Sequence, residues 1–249
     1  MKNQEISPRE TLEIVFRRWW VIILMTVLGG LAGWSFHFFN PPVYEATSLV
    51  TVNMDFQKRE LTQYEEDYAF DSAGGISMGD DVENRVVAEA KIRGLPIELN
   101  QLKQQMFIER KQSLFELHIR NQDPQIAAQL ANIWAEKFYE ALNAALAHAI
   151  QTDQIQTQID AINSSFLTSG SPVPGEAQAT LKTLSDELLV EKQASRGIIS
   201  NMKFALTESA SVPQKPVLYY LADLVLAGAC IGFIVSLWVV SSYKVQRHD

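Results

Sequence analysis

Histidines and clustered acids are the residues of this chain whose types could do chemistry. Histidine serves as a general acid, a general base or a metal ligand, and neighbouring carboxylates can bind a divalent cation. The run Glu65-Glu66-Asp67 lacks the spacing of a calcium-binding loop, and we interpret it as a solvated acidic loop. The four histidines are scattered along the chain, at His37, His118, His148 and His248.

The sequence contains almost none of the residue spacings typical of an enzyme or of a bound cofactor. HExxH, CxxC and the phosphate-binding GxxxxGK(S/T) do not occur. Gly75-Ile-Ser-Met-Gly79 matches G-x-S-x-G, but no strand is predicted before it, as an active-site serine on this motif requires. His118 alternates with Leu117 and Ile119, which predicts an outward-facing strand residue. We therefore predict no catalytic residue, no cofactor and no metal site. The net charge of −8 also opposes binding to nucleic acid.

Two apolar stretches, 19–39 and 217–240, enclose the polar remainder of the chain. The first has no charged residue, and as a helix it is about 31 Å long, enough to cross the hydrocarbon core of a bilayer. The second contains one acid, Asp223, which we place at the headgroup level beside Tyr219 and Tyr220. The sequence therefore predicts two transmembrane helices in contact with membrane lipid.

Basic residues close to the spans predict the orientation, because Lys and Arg are retained on the cytoplasmic side. Both tails, 1–18 and 241–249, carry such residues. The segment 40–216 has 15 Lys and Arg against 24 Asp and Glu, a net charge of −9. We expect a cytoplasmic N-terminal segment 1–18, an extracytoplasmic domain 40–216 and a cytoplasmic tail 241–249.

A cleaved signal peptide is the alternative interpretation of the first stretch, since Arg17-Arg18 precedes an apolar run. The run is long and its flank FHFFNPP has no small-x-small cleavage site, which favours a retained anchor. The only cysteine, Cys230, lies in the second stretch and cannot form a disulfide within the chain. The exported domain must therefore be held together by packing alone.

Both apolar stretches contain glycines at a spacing of four, which places them on one helix face and lets backbones approach closely. We interpret them as candidates for span packing, against the alternative that glycine is simply common in membrane helices. These residues are Gly29 and Gly33, and Gly228 and Gly232.

Alternating apolar and polar residues predict three strands between the spans. The first, 43–56, follows Pro41-Pro42, where proline ends the preceding helix. The second region, 106–120, contains a possible turn at 111–113. The third strand, 203–211, is expected to return beside the first two.

Helical periodicity predicts three helices in the same domain. The first covers 80–93, with Asp80 or Asp81 as its N-cap and Gly94 as its stop. The others are a long helix from Asp123-Pro124 to Asn163 and a helix over 176–206 that folds back on it.

The remaining segments are predicted to be irregular. Residues 164–175 form a tip rich in helix breakers, and 57–79 is predicted to be a poorly ordered loop around a short helix. The pattern as a whole predicts an α+β (α/β) extracytoplasmic domain with a long helical hairpin arm, about 124–206, flanked by two transmembrane helices.

In their order, these features resemble the chain-length determinant (Wzz) proteins, also called polysaccharide co-polymerases. The resemblance covers nearly the whole chain. It includes the lead SPRETLEIVFRRWW before the first span, a P-x-Y-x-A exit, a strand-to-helix signature and a proline-flanked approach to the second span. The matching positions are Pro42, Tyr44 and Ala46; Asp123, Pro124, Ala127, Ala128, Ala131 and Asn132; and Pro213 and Pro216.

The resemblance implies a ring-like homo-oligomer that acts with a polysaccharide polymerase and sets the modal length of a surface polysaccharide without doing chemistry itself. This sequence departs from longer-armed members in its short coiled-coil section. It shows no nucleotide-binding domain and no tyrosine cluster, so we expect no intrinsic tyrosine kinase. Tyr243 is interpreted as an anchor at the membrane interface.

Three functional hypotheses follow from this resemblance and from the two spans. The first is a non-catalytic scaffold in the cytoplasmic (inner) membrane that holds polymerase or growing glycan during synthesis of O-antigen, capsule or exopolysaccharide. The second is a membrane activator of a separate cytoplasmic tyrosine kinase, contacted through the tail 241–249. The third is a two-span sensor or adaptor, which would not need the ordered motifs.

Overall fold

The computed structural model describes residues 18–56, 61–169 and 174–242. The chain forms two compact units, Met1–Tyr44 with Gln214–Asp249, and Glu45–Pro213. Its elements in chain order are α1 (Trp19–Phe39), β1 (Tyr44–Met54), α2 (Gln63–Ser77), α3 (Asp80–Ile92), α4 (Leu99–Gln105), β2 (Met106–Lys111), β3 (Leu114–Asn121), α5 (Pro124–Ser169), α6 (Gly175–Ala194), β4 (Met202–Glu208) and α7 (Leu221–Ser242).

Two helices of the first unit, α1 and α7, are long and apolar enough to cross a membrane. Helix α1 has the predicted bounds, but α7 begins at Leu221, four residues after the predicted start of the second stretch. The backbone N–H of Val217 donates to the carbonyl of Val43 at 2.8 Å, and the N–H of Val43 donates to Leu218 at 3.2 Å. Val217 and Leu218 therefore pair with Val43 and do not join the helix, and Tyr219, with φ of 59°, lies between this pairing and the start of α7.

The second unit contains a four-stranded sheet with the strand order β2-β3-β1-β4. Strands β2 and β3 form an antiparallel hairpin, and Gln112, with φ of 56°, lies in its turn. Strand β4 is antiparallel to β1. Contacts of β1 with the hairpin, Thr47 with His118 and Val52 with Ser113, run in opposite directions along the chain, as in an antiparallel pair. The three predicted strand regions are confirmed.

One face of the sheet packs against the helices and forms the core. The strands contribute alternate residues to this face, as period-two patterning requires, and residues of α5 from Ala127 to Ala149 belong to the same core. Trp134 of α5 is fully buried, and its Nε1–H donates to the carbonyl of Ser77 at 3.0 Å. Other large core residues with almost no exposed surface include Val50, Val52, Leu102, Phe115, Leu117, Ile119, Leu130, Ile133, Phe138 and Leu142.

The prediction of a poorly ordered loop over 57–79 is wrong for the described part of this segment. Helix α2 runs from Gln63 to Ser77, and Thr62 and Glu65 form a reciprocal capping box at its start. Gly74, which favoured a loop in the sequence, faces the core, where a Cβ would lie 3.1 Å from the ring of Phe115. The glycine therefore permits close packing of a helix against the sheet. Residues 57–60 lie outside the described part.

The helix predicted over 80–93 is confirmed as α3, but neither predicted acid caps it. Gly79 occupies the N-cap without a side-chain bond, and Asp80 and Asp81 belong to the first turn, where acids interact favourably with the helix dipole. The chain leaves the helix through Gly94, with φ of 76°. The short helix α4 was not predicted.

The long helix α5 begins as predicted, because the carboxylate of Asp123 accepts hydrogen bonds from the backbone N–H groups of Gln125 and Ile126. It is longer than predicted: its 46 residues extend about 69 Å at 1.5 Å per residue. The predicted tip is therefore partly helical, through Ser169 on one side and from Gly175 on the other. Residues 170–173 lie outside the described part.

The helix predicted over 176–206 is wrong beyond Ala194, where α6 ends. Arg196 and Gly197 have φ of 52° and 84°, values that an α-helix does not accommodate. Ile198 and Met202, interpreted as helix positions, are buried in the core beyond this turn. Met202 already belongs to strand β4.

Candidate functional site

The four glycines of the apolar stretches lie at the contact between α1 and α7. A Cβ placed on Gly29 would overlap the carbonyl oxygen of Gly228, and a Cβ on Gly33 would overlap that of Leu224. The reciprocal substitutions meet the backbone of α1, because a Cβ on Gly232 would overlap the carbonyl of Met25. These glycine faces are therefore used within one chain. Contacts of the spans with a sister subunit or a polymerase stay a prediction and need other faces.

Pro42 and Pro216 flank the two segments that connect to the apolar helices. Val43, directly after Pro42, forms an isolated antiparallel bridge with Leu218, two residues after Pro216. Beside this bridge, Nδ1 of His37 lies 2.9 Å from the carbonyl oxygen of Tyr219. The chain leaving α1 and the chain approaching α7 are thus hydrogen-bonded side by side.

The strand-to-helix signature forms a structural clamp centred on Asn132. Its Oδ1 accepts hydrogen bonds from the Oγ of Ser48, at 3.0 Å, and from the backbone N–H of Ala210, at 2.6 Å. Its Nδ2 donates to the carbonyl of the same Ala210 at 3.1 Å. Of the other signature residues, Ala46 and Ala128 are buried in the core. The clamp joins α5 to β1 and to the segment that follows β4.

The remaining signature positions are not brought into this clamp. Tyr44 begins β1 and is half-buried, Pro124 begins α5, and Pro213 lies in the irregular segment after β4. Pro124 occupies the first helical position, which proline favours.

A cleft of about 530 Å³ lies where α2, the middle of α5 and the end of α6 meet. Two exposed tyrosines of α2, Tyr64 and Tyr68, stack with ring centroids 6.5 Å apart. The cleft is also lined by Asp153 of α5 and Lys192 of α6. The site combines aromatic faces with charged side chains, as small-ligand clefts do. Sequence patterning does not reveal this cleft, because the i, i+4 spacing of the two tyrosines becomes a signal only once α2 is known to be helical.

The outer part of the arm presents apolar side chains to solvent. Helix α6 contains no buried residue between Gly175 and Ala194, all of which the structure describes. Leu189 and Val190 are exposed on it, while Leu181, Leu184 and Leu188 are half-buried. Helix α6 therefore exposes apolar side chains that its pairing with α5 does not bury.

A polar cluster lies on the face of the sheet opposite the helices. His118 lies on this outer face, as predicted, but the residue is only 7% exposed, because its ring stacks on Phe107 at 4.5 Å. Beside it, Lys111 donates a hydrogen bond to Glu116 at 2.8 Å. This bond holds the pKa of Glu116 below its ordinary value and raises the pKa of Lys111.

The acidic run 65–67 was interpreted as a solvated loop, and that interpretation is wrong. All three residues lie in the first turns of α2. Glu65 completes the capping box with Thr62, and Asp67 accepts a hydrogen bond from Arg110 at 2.9 Å. Favourable placement of acids at a helix start explains the run.

The described part of the chain is thus a mixed helix-and-strand protein with a long helix and an apolar helix near each end. A family model described as Wzz, chain length determinant protein, matches residues 4–84. This match covers α1, β1, α2 and the start of α3, and it confirms the resemblance to chain-length determinant proteins. No curated protein sequence matches the chain.

Several solved structures resemble the chain weakly, each at 11% sequence identity. A full-length bacterial polysaccharide co-polymerase has a TM-score of 0.44, with 95% of this chain and 97% of that chain covered. A fragment of WzzB, a polysaccharide co-polymerase from Salmonella Typhimurium, has a TM-score of 0.28, with 70% and 98% covered. A mutant of WzzBSF, the lipopolysaccharide O-antigen chain-length regulator of Shigella flexneri, has a TM-score of 0.22, with 70% and 99% covered.

Proposed function

We propose that this protein is a non-catalytic membrane scaffold that regulates the chain length of a surface polysaccharide, of the O-antigen, capsule or exopolysaccharide type. The observation that carries the proposal is the match of the chain length determinant model to residues 4–84. Two helices able to span a membrane support a place in the cytoplasmic membrane. In the proposed topology both tails are cytoplasmic and Glu45–Pro213 lies outside.

The scaffold acts as a homo-oligomer beside a polysaccharide polymerase. Leu189 and Val190 on α6 support this part of the proposal, because neighbouring exposed apolar side chains on one helix fit burial against a second copy. Their charged replacements, Leu189→Lys with Val190→Lys, should dissociate the oligomer. Thr183→Lys changes an exposed polar residue of the same helix and serves as the matched control.

The cleft beside Tyr64 and Tyr68 is the proposed contact with the growing glycan. A sugar ring presents a C–H face that packs on an aromatic ring and hydroxyls that bind charged groups such as Asp153 and Lys192. Removing both tyrosine rings should shift the modal glycan length while the oligomer stays intact. Phe56→Ala, at another exposed aromatic residue, should leave the length unchanged.

The test is a deletion of the gene in its host, followed by complementation and separation of surface glycans on a gel. Deletion should replace a narrow length distribution with a broad one, and the wild-type gene should restore it. The Leu189→Lys, Val190→Lys variant should fail to restore it, whereas Thr183→Lys should succeed. An unchanged glycan ladder after deletion contradicts the proposal.

The alternative function, activation of a separate cytoplasmic tyrosine kinase, depends on the tail 241–249. Residues 243–249, including Tyr243, lie outside the described part of the chain. A chain truncated after Ser242 that retains length control while losing kinase activation would separate the two functions. We retain the scaffold as the conclusion because no described contact favours the kinase.

A further inference from the structure

The imidazole of His118 carries a buried nitrogen that is left without a partner. Its Nε2 makes no hydrogen bond of good geometry with any of the described residues, since its contact with Oε2 of Glu116 is long, 3.4 Å, and the side chain is 10% exposed. Buried polar atoms in folded proteins are normally satisfied, and an exception points to a missing ion, water or ligand. This atom is aimed at two carboxylates on the outer face of the sheet.

The other nitrogen of the ring identifies which proton His118 carries. Nδ1 lies 3.0 Å from Oε1 of Glu45, whose Oε2 is held by Arg120 at 2.7 Å. An ionised carboxylate can only accept, so Nδ1 is the donor to Glu45, and a ring that carries this one proton presents the lone pair of Nε2. A carboxylate that binds the far nitrogen in this way is the arrangement that orients metal-binding histidines.

Two carboxylates converge on the lone pair of Nε2. Oε2 of Glu116 lies 3.4 Å from it and Oε2 of Glu109 lies 3.9 Å from it. Glu109 and Glu116 are also direct partners across the β2–β3 pair, where like charges disfavour each other. A cation placed among these three atoms would remove both conflicts.

The spacing of the three atoms suits a tetrahedral metal ion. Zn²⁺ binds nitrogen and oxygen ligands at about 2.0–2.2 Å, which puts two ligand atoms about 3.3–3.6 Å apart in a tetrahedron. The ligand atoms all lie within 4.8 Å of one another, and the Glu109 side chain is 54% exposed and able to move closer. We propose that Glu109, Glu116 and His118 bind one divalent transition-metal ion of the Zn²⁺ class, with water as fourth ligand.

Lys111 is the competitor for this site. Its Nζ lies 2.8 Å from Oε2 of Glu116 and 3.8 Å from Oε2 of Glu109, so the ammonium supplies the positive charge between the carboxylates. The side chain is 54% exposed and can turn into solvent when a metal ion enters. Lys111 therefore lowers the affinity, and its removal should strengthen metal binding.

The test is isothermal titration of Zn²⁺ into the full-length protein in detergent after treatment with a chelator. One ion should bind per chain. Glu109→Gln, at the most exposed ligand, and His118→Asn, which keeps an amide near the position of Nδ1, should each weaken binding at least about tenfold. Lys111→Met should tighten it. Absorption bands of bound Co²⁺ should report tetrahedral coordination in the wild type.

His148→Asn is the matched control, because Nδ1 of His148 contacts one carboxylate, that of Glu191, at 2.6 Å. It should leave Zn²⁺ binding unchanged, and circular dichroism should show that all variants are folded. Wild-type protein that binds no Zn²⁺ overturns the proposal. Unchanged affinity in Glu109→Gln also overturns it, as does a Lys111→Met variant that binds no more tightly than the wild type.

Discussion

Asn132 and Ala210 are joined by two hydrogen bonds. The side-chain amide of Asn132 binds both the N–H and the carbonyl of the Ala210 backbone, as a neighbouring strand would. The same amide oxygen also accepts from the hydroxyl of Ser48, which has no exposed surface. One polar side chain of a long helix thus fixes β1 and the segment after β4 together. This role explains an asparagine among the alanines of the strand-to-helix signature.

We expect Asn132→Ala to destabilise the unit Glu45–Pro213 by about 1–3 kcal/mol, because it removes the hydrogen-bond partner of the Ala210 carbonyl and of the Ser48 hydroxyl. Urea unfolding followed by circular dichroism measures the change. Asn143→Ala is the control, since Asn143 binds only the carbonyl of Tyr139 in its own helix. Equal losses in the two variants would contradict the clamp.

Gly29→Ala should lower the melting temperature of the protein in detergent, whereas Gly30→Ala should not. A Cβ on Gly29 overlaps the backbone of α7, but a Cβ on Gly30 meets its nearest atom, in Val225, at 3.8 Å. Both changes gain about 1 kcal/mol in intrinsic helix propensity, so their difference isolates the packing. Similar melting temperatures for the two variants would show that the helices do not pack through this face.

Trp134→Phe should lower the free energy of unfolding by about 1–3 kcal/mol, because it leaves the buried carbonyl of Ser77 without its donor. The indole ring is fully buried, and the smaller ring also leaves a void. Urea unfolding of the two proteins gives the difference. A loss close to zero would mean that water replaces the lost hydrogen bond.

The stability of the unit Glu45–Pro213 should fall in acid partly through Asp80. The hydrogen bond from Lys103, at 2.9 Å, lowers the pKa of Asp80 from its ordinary 3.8. A carboxylate with a depressed folded-state pKa stabilises the fold above its unfolded pKa, and this contribution is lost as the pH falls through its folded pKa. Asp80→Asn should therefore flatten the decline in unfolding free energy between about pH 5 and pH 2. If the unfolding free energy declines equally in both proteins, the Lys103–Asp80 ion pair does not contribute to the acid dependence.

The elements that sequence patterning predicts correctly are those whose signal is local. The start of α5 depends on Asp123 and Pro124, and the β2–β3 hairpin depends on alternation around a turn, so neither needs knowledge of distant contacts. Helix α2 was missed because Gly74 is a weak helix former whose use becomes clear only against the ring of Phe115. Its stabilisation comes from tertiary packing, which outweighs intrinsic propensity.

The candidate sites depend on contacts between segments, and spacing along the chain does not reveal them. Glu109 and Glu116 become neighbours through the register of the hairpin, and Glu45 reaches His118 from another strand, 73 positions away. The predicted turn at 111–113 places Glu109 opposite Phe115, one residue away from the observed register, in which it lies opposite Glu116. The position of β1 beside β3 could not have been predicted in this way.

The outer arm has one further consequence, for how this fold can change during evolution. Beyond Ile155 none of the described residues of α5 is buried, and α6 buries none. This outer part of the arm is held by the pairing of α5 with α6 and adds none of its described residues to the hydrophobic core. Matched insertions or deletions of whole heptads in both helices would thus alter its reach while leaving the sheet, the clamp and the folding of the base untouched. Arm length is a character that selection can tune separately from stability.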